Sequence, residues 1–419
     1  MPASIVREVR QSGCPAAGSS NAVAATPARP TEDSIGRGER RPELDGLRAI
    51  AILLVMFHHM APRSGALAWL GRASAEAGWM GVDLFFVLSG FLITCILCQS
   101  AGREHYYRSF LARRALRIVP LYLAYLACTA IASYRFAPAQ WAAFLQWGGL
   151  TPYLLYCANV WASIRHAQPP IAELTSLWSL QVEEQFYLAY PLVIAVCPSA
   201  RLRPLLAACA ALALAGRCIA AGLGASALTA YVNTPFRMDS LALGGVVATL
   251  YLDGTLRRWT AACRGVCCLG AAVIVTLCAT HRIYHEELII RTAGFTIIAL
   301  TFAAVLALTL LGDSDAIARA LRLPPLVYSG QIAYGLYILH RPAWAIVHKA
   351  SRILAVSPAT EFVLGVALAY GLASLSWHLF ESKILKLKQR FKPGAERTAG
   401  RDRRALRADL RALFWPSPK

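Results

Sequence analysis

Long apolar runs, most about twenty residues in length and separated by short basic loops, dominate the chain from Leu47 to Phe380. At about 1.5 Å of helical rise per residue, such a run matches the roughly 30 Å hydrocarbon layer of a bilayer. Ten spans are predicted, near residues 47–62, 79–99, 115–134, 178–197, 204–224, 236–252, 261–280, 289–311, 326–349 and 359–380. The expected fold is therefore all-α, a polytopic integral membrane protein with about ten transmembrane helices. Between residues 141 and 161 the chain is aromatic and apolar but broken by Gly148, Gly149 and Pro152. That pattern fits a half-helix or a re-entrant segment lining a cavity instead of facing lipid.

Composition supports the membrane reading. Of 419 residues, 57% are hydrophobic and only 16% charged, too few charges for a soluble domain of this length. A formal charge of +19 would suggest nucleic acid if it formed one patch. Its distribution argues otherwise. With the N-terminus inside, 31 of the 42 Lys and Arg residues fall on inner segments. The positive-inside rule then predicts both termini in the cytoplasm, a lipid bilayer as partner and no nucleic acid. Residues 1–40 are rich in Ala, Ser, Pro and Arg without an apolar core, and read as a disordered cytoplasmic tail. The membrane domain is expected over 41–385. Residues 386–419 read as a basic cytoplasmic tail whose Arg and Leu spacing fits either an anionic leaflet or solvent. The cysteines sit mostly inside spans as small apolar residues, without metal-ligand spacing, and no metal is expected.

On this topology the ionisable residues fall in layers. His59, Asp83, Glu183, Glu184, Asp239 and His340 lie toward the outer ends or halves of their spans, while Arg48, Arg113, Arg114, Arg117 and Glu381 lie at the inner boundary. Charges in apolar helices are costly and suggest function. Arg48 and His59 stand about 16 Å apart along one helix. The stretch alone fits a functional pair or a histidine anchoring the helix end at headgroup level. His58, one residue away, faces another direction and reads as the anchor. Arg114 and Arg117 share a helix face, and guanidinium forks suit phosphate oxygens; positive-inside anchoring also explains them, and Arg113 equally.

The motifs DGLRAIAILLVMFHH, GVDLFFVLSGFLIT, RRALRIVPLY, LWSLQVEEQFYLAYPL, FRMDSLALG and YSGQIAYGLYILHRP follow in order, with Trp377 and Glu381 behind them. In this order and spacing the chain closely resembles the acyltransferase-3 family of integral membrane O-acyltransferases, from about Arg41 to about Leu385. That family acts on hydroxyls of O-antigen, exopolysaccharide and Nod-factor sugars and of some macrolides. The resemblance implies transfer of an acyl group, acetyl being the expected one, from acyl-CoA as donor substrate, with no permanently bound cofactor. It implies a multi-pass protein of a bacterial inner membrane.

Arg48 and His59 match the family's Arg/Lys-x10-His motif, which makes His59 the implied catalytic base or transient acyl carrier. Arg114 and Arg117 match its Arg-x-x-Arg motif, and with Arg48 and Arg113 would hold the CoA phosphates. A carboxylate can orient an imidazole and stabilise its charge, the role expected of Glu183. Asp83, Glu184, Asp239 and His340 are candidates for acceptor binding or support. For Glu183 and Glu184 a structural ion pair is an alternative, for Asp239 a local pair with Arg237, with the same alternative for Asp83, and for His340 a cross-helix hydrogen bond. Two rivals to carbohydrate acylation stand beside it: acylation of a small hydrophobic acceptor such as a macrolide, and proton-coupled transport of an acylated glycan or lipid intermediate. Transport folds often show repeated halves, and none is visible here. Oligomeric state and the individual acceptor are not legible.

Overall fold

The computed structural model describes residues 41–391, except positions 63, 66 and 313. The predicted tail 1–40 and most of the basic tail, 392–419, lie outside the described residues. The helices, in chain order, are α1 (Pro42–Met60), α2 (Ala68–Ala77), α3 (Gly81–Ser100), α4 (Tyr106–Phe136), α5 (Pro138–Trp147) and α6 (Thr151–Leu154). Then come α7 (Ala158–Arg165), α8 (Trp178–Val196), α9 (Ser199–Gly222), α10 (Ala227–Val232), α11 (Thr234–Leu252) and α12 (Thr260–Ala279). The last are α13 (Phe295–Leu311), α14 (Asp315–Leu321), α15 (Pro324–Gln331), α16 (Ala333–Leu354), α17 (Pro358–Ser376) and α18 (Ser382–Lys386). No strand occurs among the described residues.

Helix lies over each of the ten predicted stretches, with the ninth broken at Ile332 into α15 and α16. Six helical stretches are long and apolar enough to cross a membrane: Leu70–Ser100, Tyr106–Phe136, Ser199–Gly222, Leu256–Ala279, Ile290–Leu311 and Pro358–Lys386. The other four predicted stretches fall over α1, α8, α11 and α15–α16. They carry Arg48 and His59, Glu183 and Glu184, Arg237 and Asp239, and His340 and Arg341. The candidate residues His59, His340 and Glu183 thus lie on helices outside that set, while Arg113, Arg114 and Arg117 lie on α4, within it.

Helix α1 begins with Pro42 at its first position, Glu43 and Asp45 in its first turn, and ends with His58 and His59. Acids at the N-terminus and histidines at the C-terminus match the helix dipole. Glycines let backbones approach α1 and its neighbours closely. A Cβ on Gly330 of α15 would collide with the carbonyl of Asp45, and one on Gly46 with the carbonyl of Leu321. Gly90 of α3 and Gly244 of α11 meet the backbones of Leu241 and Val87 in the same way. Helices α1, α3 and α11 thus form a tightly fitted centre, with α9 against α11, α12 against α13 and α17 against α16 around it. The periphery is apolar and open: Leu269 and Val275 of α12 are 69% and 66% exposed. An apolar face of that extent suits lipid.

The stretch predicted as half-helix or re-entrant is three short helices, α5 to α7. Gly148 and Gly149, at φ of 135° and 59°, end α5, and Phe144, Trp147 and Tyr153 are buried together. The segment is tied to α8, where Gln181 accepts a hydrogen bond from the Asn159 backbone at 2.8 Å and Gln185 donates to the Tyr156 carbonyl at 2.7 Å. Its broken backbone is held by polar side chains of a neighbouring helix.

Candidate active site

Three cavities adjoin one another, each sharing wall residues with the next. The first, of about 220 Å³, is lined by Arg48 of α1, Arg113, Arg114 and Arg117 of α4, and Lys388. The second, of about 120 Å³, shares Arg48, Arg114 and Arg117 and adds Ser89, Glu183, Tyr187 and Tyr337. The third, of about 160 Å³, shares Tyr337 and Val82 and is bounded by His58, His59, Trp79, Trp178, Tyr231 and His285. Both ends of α1 therefore open into cavities: Arg48 faces the first two and His59 the third.

Helix α4 places the arginine cluster. Arg114 lies over the rings of Phe110 and Tyr187, 5.7 and 5.5 Å from their centroids. Among the described residues no ion pair neutralises Arg113, Arg114 or Arg117, whereas Arg48 pairs with Asp45 at 2.9 Å on its own helix. Lys388 joins them from the turn Leu387–Phe391, which Ser109 of α4 fastens by donating to the Phe391 carbonyl at 3.0 Å. Burial lowers the Lys388 ammonium to about 7, and Arg117, Arg114 and Arg113 push it the same way. Partly dehydrated cations without carboxylate partners make a receptor for a polyanion.

In the middle cavity Glu183 accepts from Ser89 at 2.7 Å and from Tyr187 at 3.2 Å. It shares walls with Arg48, Arg114 and Arg117, so the expected segregation of carboxylates from guanidinium groups fails here. The orienting role expected of Glu183 toward His59 is also corrected. His59 bonds instead to His340, whose Nε2 lies 3.1 Å from His59 Nδ1, with the rings 5.0 Å apart, and the His59 ring also bonds the Val55 backbone of its own helix. Of the two alternatives for His340, the cross-helix bond is the one present. His58 does not turn away: its ring makes an edge contact with His59 at 5.0 Å and lines the same cavity. Both residues sit in the last turn of α1, where the ending chain leaves the helix face open.

Asp83 and Asp239, candidates for acceptor binding or support, are found in buried ion pairs. Asp83 pairs with Arg237 at 2.6 Å and Asp239 with Arg217 at 2.8 Å, all four side chains fully buried. Neither carboxylate lines a cavity of the chain described above, and Asp239 takes Arg217 of α9 in place of its neighbour Arg237. Ser240 donates to Asp83 at 2.8 Å and Thr296 to Asp239 at 2.7 Å, while Arg237 stacks on Phe295 at 4.0 Å. These pairs bind α11 to α3, α9 and α13, which makes them structural. Glu184 lines none of the three cavities, and its buried Oε1 has no hydrogen-bond partner. Glu381 is buried and accepts from Ser376 at 2.8 Å.

The sequence reading missed Lys388, indistinguishable there from other basic residues after the last span. It missed Tyr337 as well, which stands between the middle and histidine cavities. The Tyr337 hydroxyl bonds the Ser176 carbonyl at 2.5 Å and Ser179 at 2.6 Å.

A family profile described as an acyltransferase domain matches residues 41–378, which contain all of this geometry except Glu381 and the Leu387–Phe391 turn with Lys388. The chain belongs to this acyltransferase family. It is 26% identical over 366 residues to the O-acetyltransferase OatA of Staphylococcus aureus (strain NCTC 8325 / PS 47), covering 82% of the chain and 57% of that protein. It is 28% identical over 375 residues to a Bacillus subtilis (strain 168) protein named "Putative peptidoglycan O-acetyltransferase YrhL", covering 82% of the chain and 54% of that protein. The chain thus spans a little over half the length of these curated relatives. No solved structure matches it.

Proposed function

We propose that the protein is a multi-pass membrane O-acyltransferase. It moves an acyl group, acetyl being the expected one, from acyl-CoA to a hydroxyl of a cell-surface or lipid-linked carbohydrate. The observation that carries this reading is the row of three cavities joining a cation cluster to His59. Arg113, Arg114, Arg117 and Lys388 supply charge for the CoA phosphates, with Arg48 at the junction. The pantetheine arm then has about 16 Å of α1 to follow from Arg48 to His59. At the far end His59 takes the hydroxyl proton as the oxygen attacks the thioester carbonyl. A C–O bond forms, the C–S bond breaks, and the thiolate of CoA leaves and regains a proton.

The membrane arrangement that goes with this chemistry has ten crossings and both termini in the cytoplasm, in a bacterial inner membrane. Six helices of sufficient length and apolarity support it, as does the bias of basic residues. The four more polar helices cross within the bundle, where α1 and α11 bury their charges against neighbours. Domain limits follow: residues 41–385 for catalysis, with 1–40 and 386–419 as cytoplasmic tails, except that Lys388 serves the donor site. The name of the Bacillus subtilis relative points to peptidoglycan as one sugar acceptor class.

The test uses the full chain in proteoliposomes with radiolabelled acetyl-CoA, and with soluble peptidoglycan fragments and O-polysaccharide as acceptor probes. Label should enter sugar, and His59→Ala should cut the rate at least about 10²-fold. His58→Ala should retain most of it. A His59→Ala protein that transfers like the parent would overturn the reading.

A further inference from the structure

We propose that His340 is a positioning residue that fixes the tautomer of His59 and so places the basic lone pair on His59 Nε2. The inference rests on His59 being the base assigned above. His340 is fully buried on α16. Its Nδ1 lies 3.1 Å from the Leu336 carbonyl and 2.8 Å from the Tyr337 carbonyl, both in the preceding turn of its own helix. A carbonyl can only accept, so the proton of His340 must sit on Nδ1. In a neutral imidazole the other nitrogen, Nε2, is then an acceptor.

That acceptor is 3.1 Å from His59 Nδ1. The contact is a hydrogen bond only if His59 carries its proton on Nδ1 and donates it. The reverse direction would require His340 to be a cation, fully buried beside Arg341 and with no carboxylate bonded to it, which is costly. The backbone of α16 therefore sets His340, and His340 sets His59 together with the Val55 backbone of α1, which the His59 ring also bonds. The nitrogen left bare is Nε2, at the far side of the ring that borders the histidine cavity. When Nε2 takes the hydroxyl proton, Nδ1–H keeps its acceptor, so the cationic ring stays in place. A buried neutral ring here does the orienting work that a carboxylate performs in a serine–histidine–aspartate triad.

The experiment is nitrogen-15 NMR of the histidine-labelled full chain in lipid, His59 being assigned by the signals lost in His59→Gln. The parent should show His59 protonated at Nδ1 and bare at Nε2; the opposite tautomer would sink the proposal. His340→Leu, which keeps bulk but removes the acceptor, should give a mixed tautomer. It should also lower kcat about 10²-fold with KM for acetyl-CoA unchanged. His340→Gln, whose amide oxygen can accept from Nδ1–H, should restore most of kcat. A leucine variant with parental tautomer and kcat overturns the proposal. Should His340→Leu not fold, the parental tautomer and the glutamine variant still decide it. The tautomer is read without turnover, so it separates this inference from the base assignment, which fails on its own if His59→Gln remains active.

Discussion

Cations that share a cavity without a carboxylate partner repel one another until an anion arrives. Lys388 registers that repulsion most directly, because it is an amine whose ordinary value of 10.5 has been brought to about 7. Below pH 7 it is charged in the free protein; above, it is neutral. Bound phosphates raise its pKa again, so binding takes up a proton wherever the free lysine is neutral. Affinity for acetyl-CoA should then be highest below pH 7 and fall as pH rises above it. Lys388→Met should flatten that profile and weaken binding at pH 6 by about tenfold, the loss of roughly one charge-assisted contact. Titration calorimetry across pH 6 to 9 checks it; an unchanged pH dependence in the methionine variant would remove Lys388 from the donor site. Legibility differed sharply between residues. Arg48 with His59 on α1, and Arg114 with Arg117 on α4, were legible because each pair sits at fixed spacing on a single helix. The partners of Asp83 and His59 were not, since Arg237 and His340 lie 154 and 281 positions away. Spacing along a chain sets helical phase and depth; it leaves lateral neighbours open.

The elements themselves were easier to read. An apolar run must be about as long as the bilayer is thick, and this constraint revealed the ten helical stretches. What it could not reveal is the irregular packing of α5 to α7 or the break at Ile332, which depend on side chains from other helices. Close backbone contacts are the other hidden feature, visible only as glycines. Gly330 faces the carbonyl of Asp45, the residue that pairs with Arg48. Gly330→Leu should push α15 from α1 and destabilise the fold by about 1–3 kcal/mol, the usual cost of overpacking. Thermal unfolding in detergent should show the lower midpoint. Acetyl transfer should fall further than the folded fraction, because the shift moves Arg48. A variant with parental midpoint and rate would show that the contact relaxes freely.

At the scale of the whole molecule, the cation-lined cavity and the histidine-lined cavity are joined through a middle one of about 120 Å³. On the proposed mechanism the polyanionic part of the donor would stay with the arginines, and only an uncharged acyl thioester would advance toward His59. On that mechanism the proton that His59 accepts would come from the acceptor and return to the leaving thiolate. No net charge is therefore displaced far through the membrane field, which would otherwise weigh on each elementary charge by about 2.3 kcal/mol per 100 mV. Transfer should run at the same rate in proteoliposomes held at zero voltage and in those polarised to either sign by a potassium gradient with valinomycin. A proton-coupled transporter would accelerate at one polarity and slow at the other. The free energy of the thioester drives this chemistry, so the enzyme is expected to work on de-energised membranes for as long as acyl-CoA lasts.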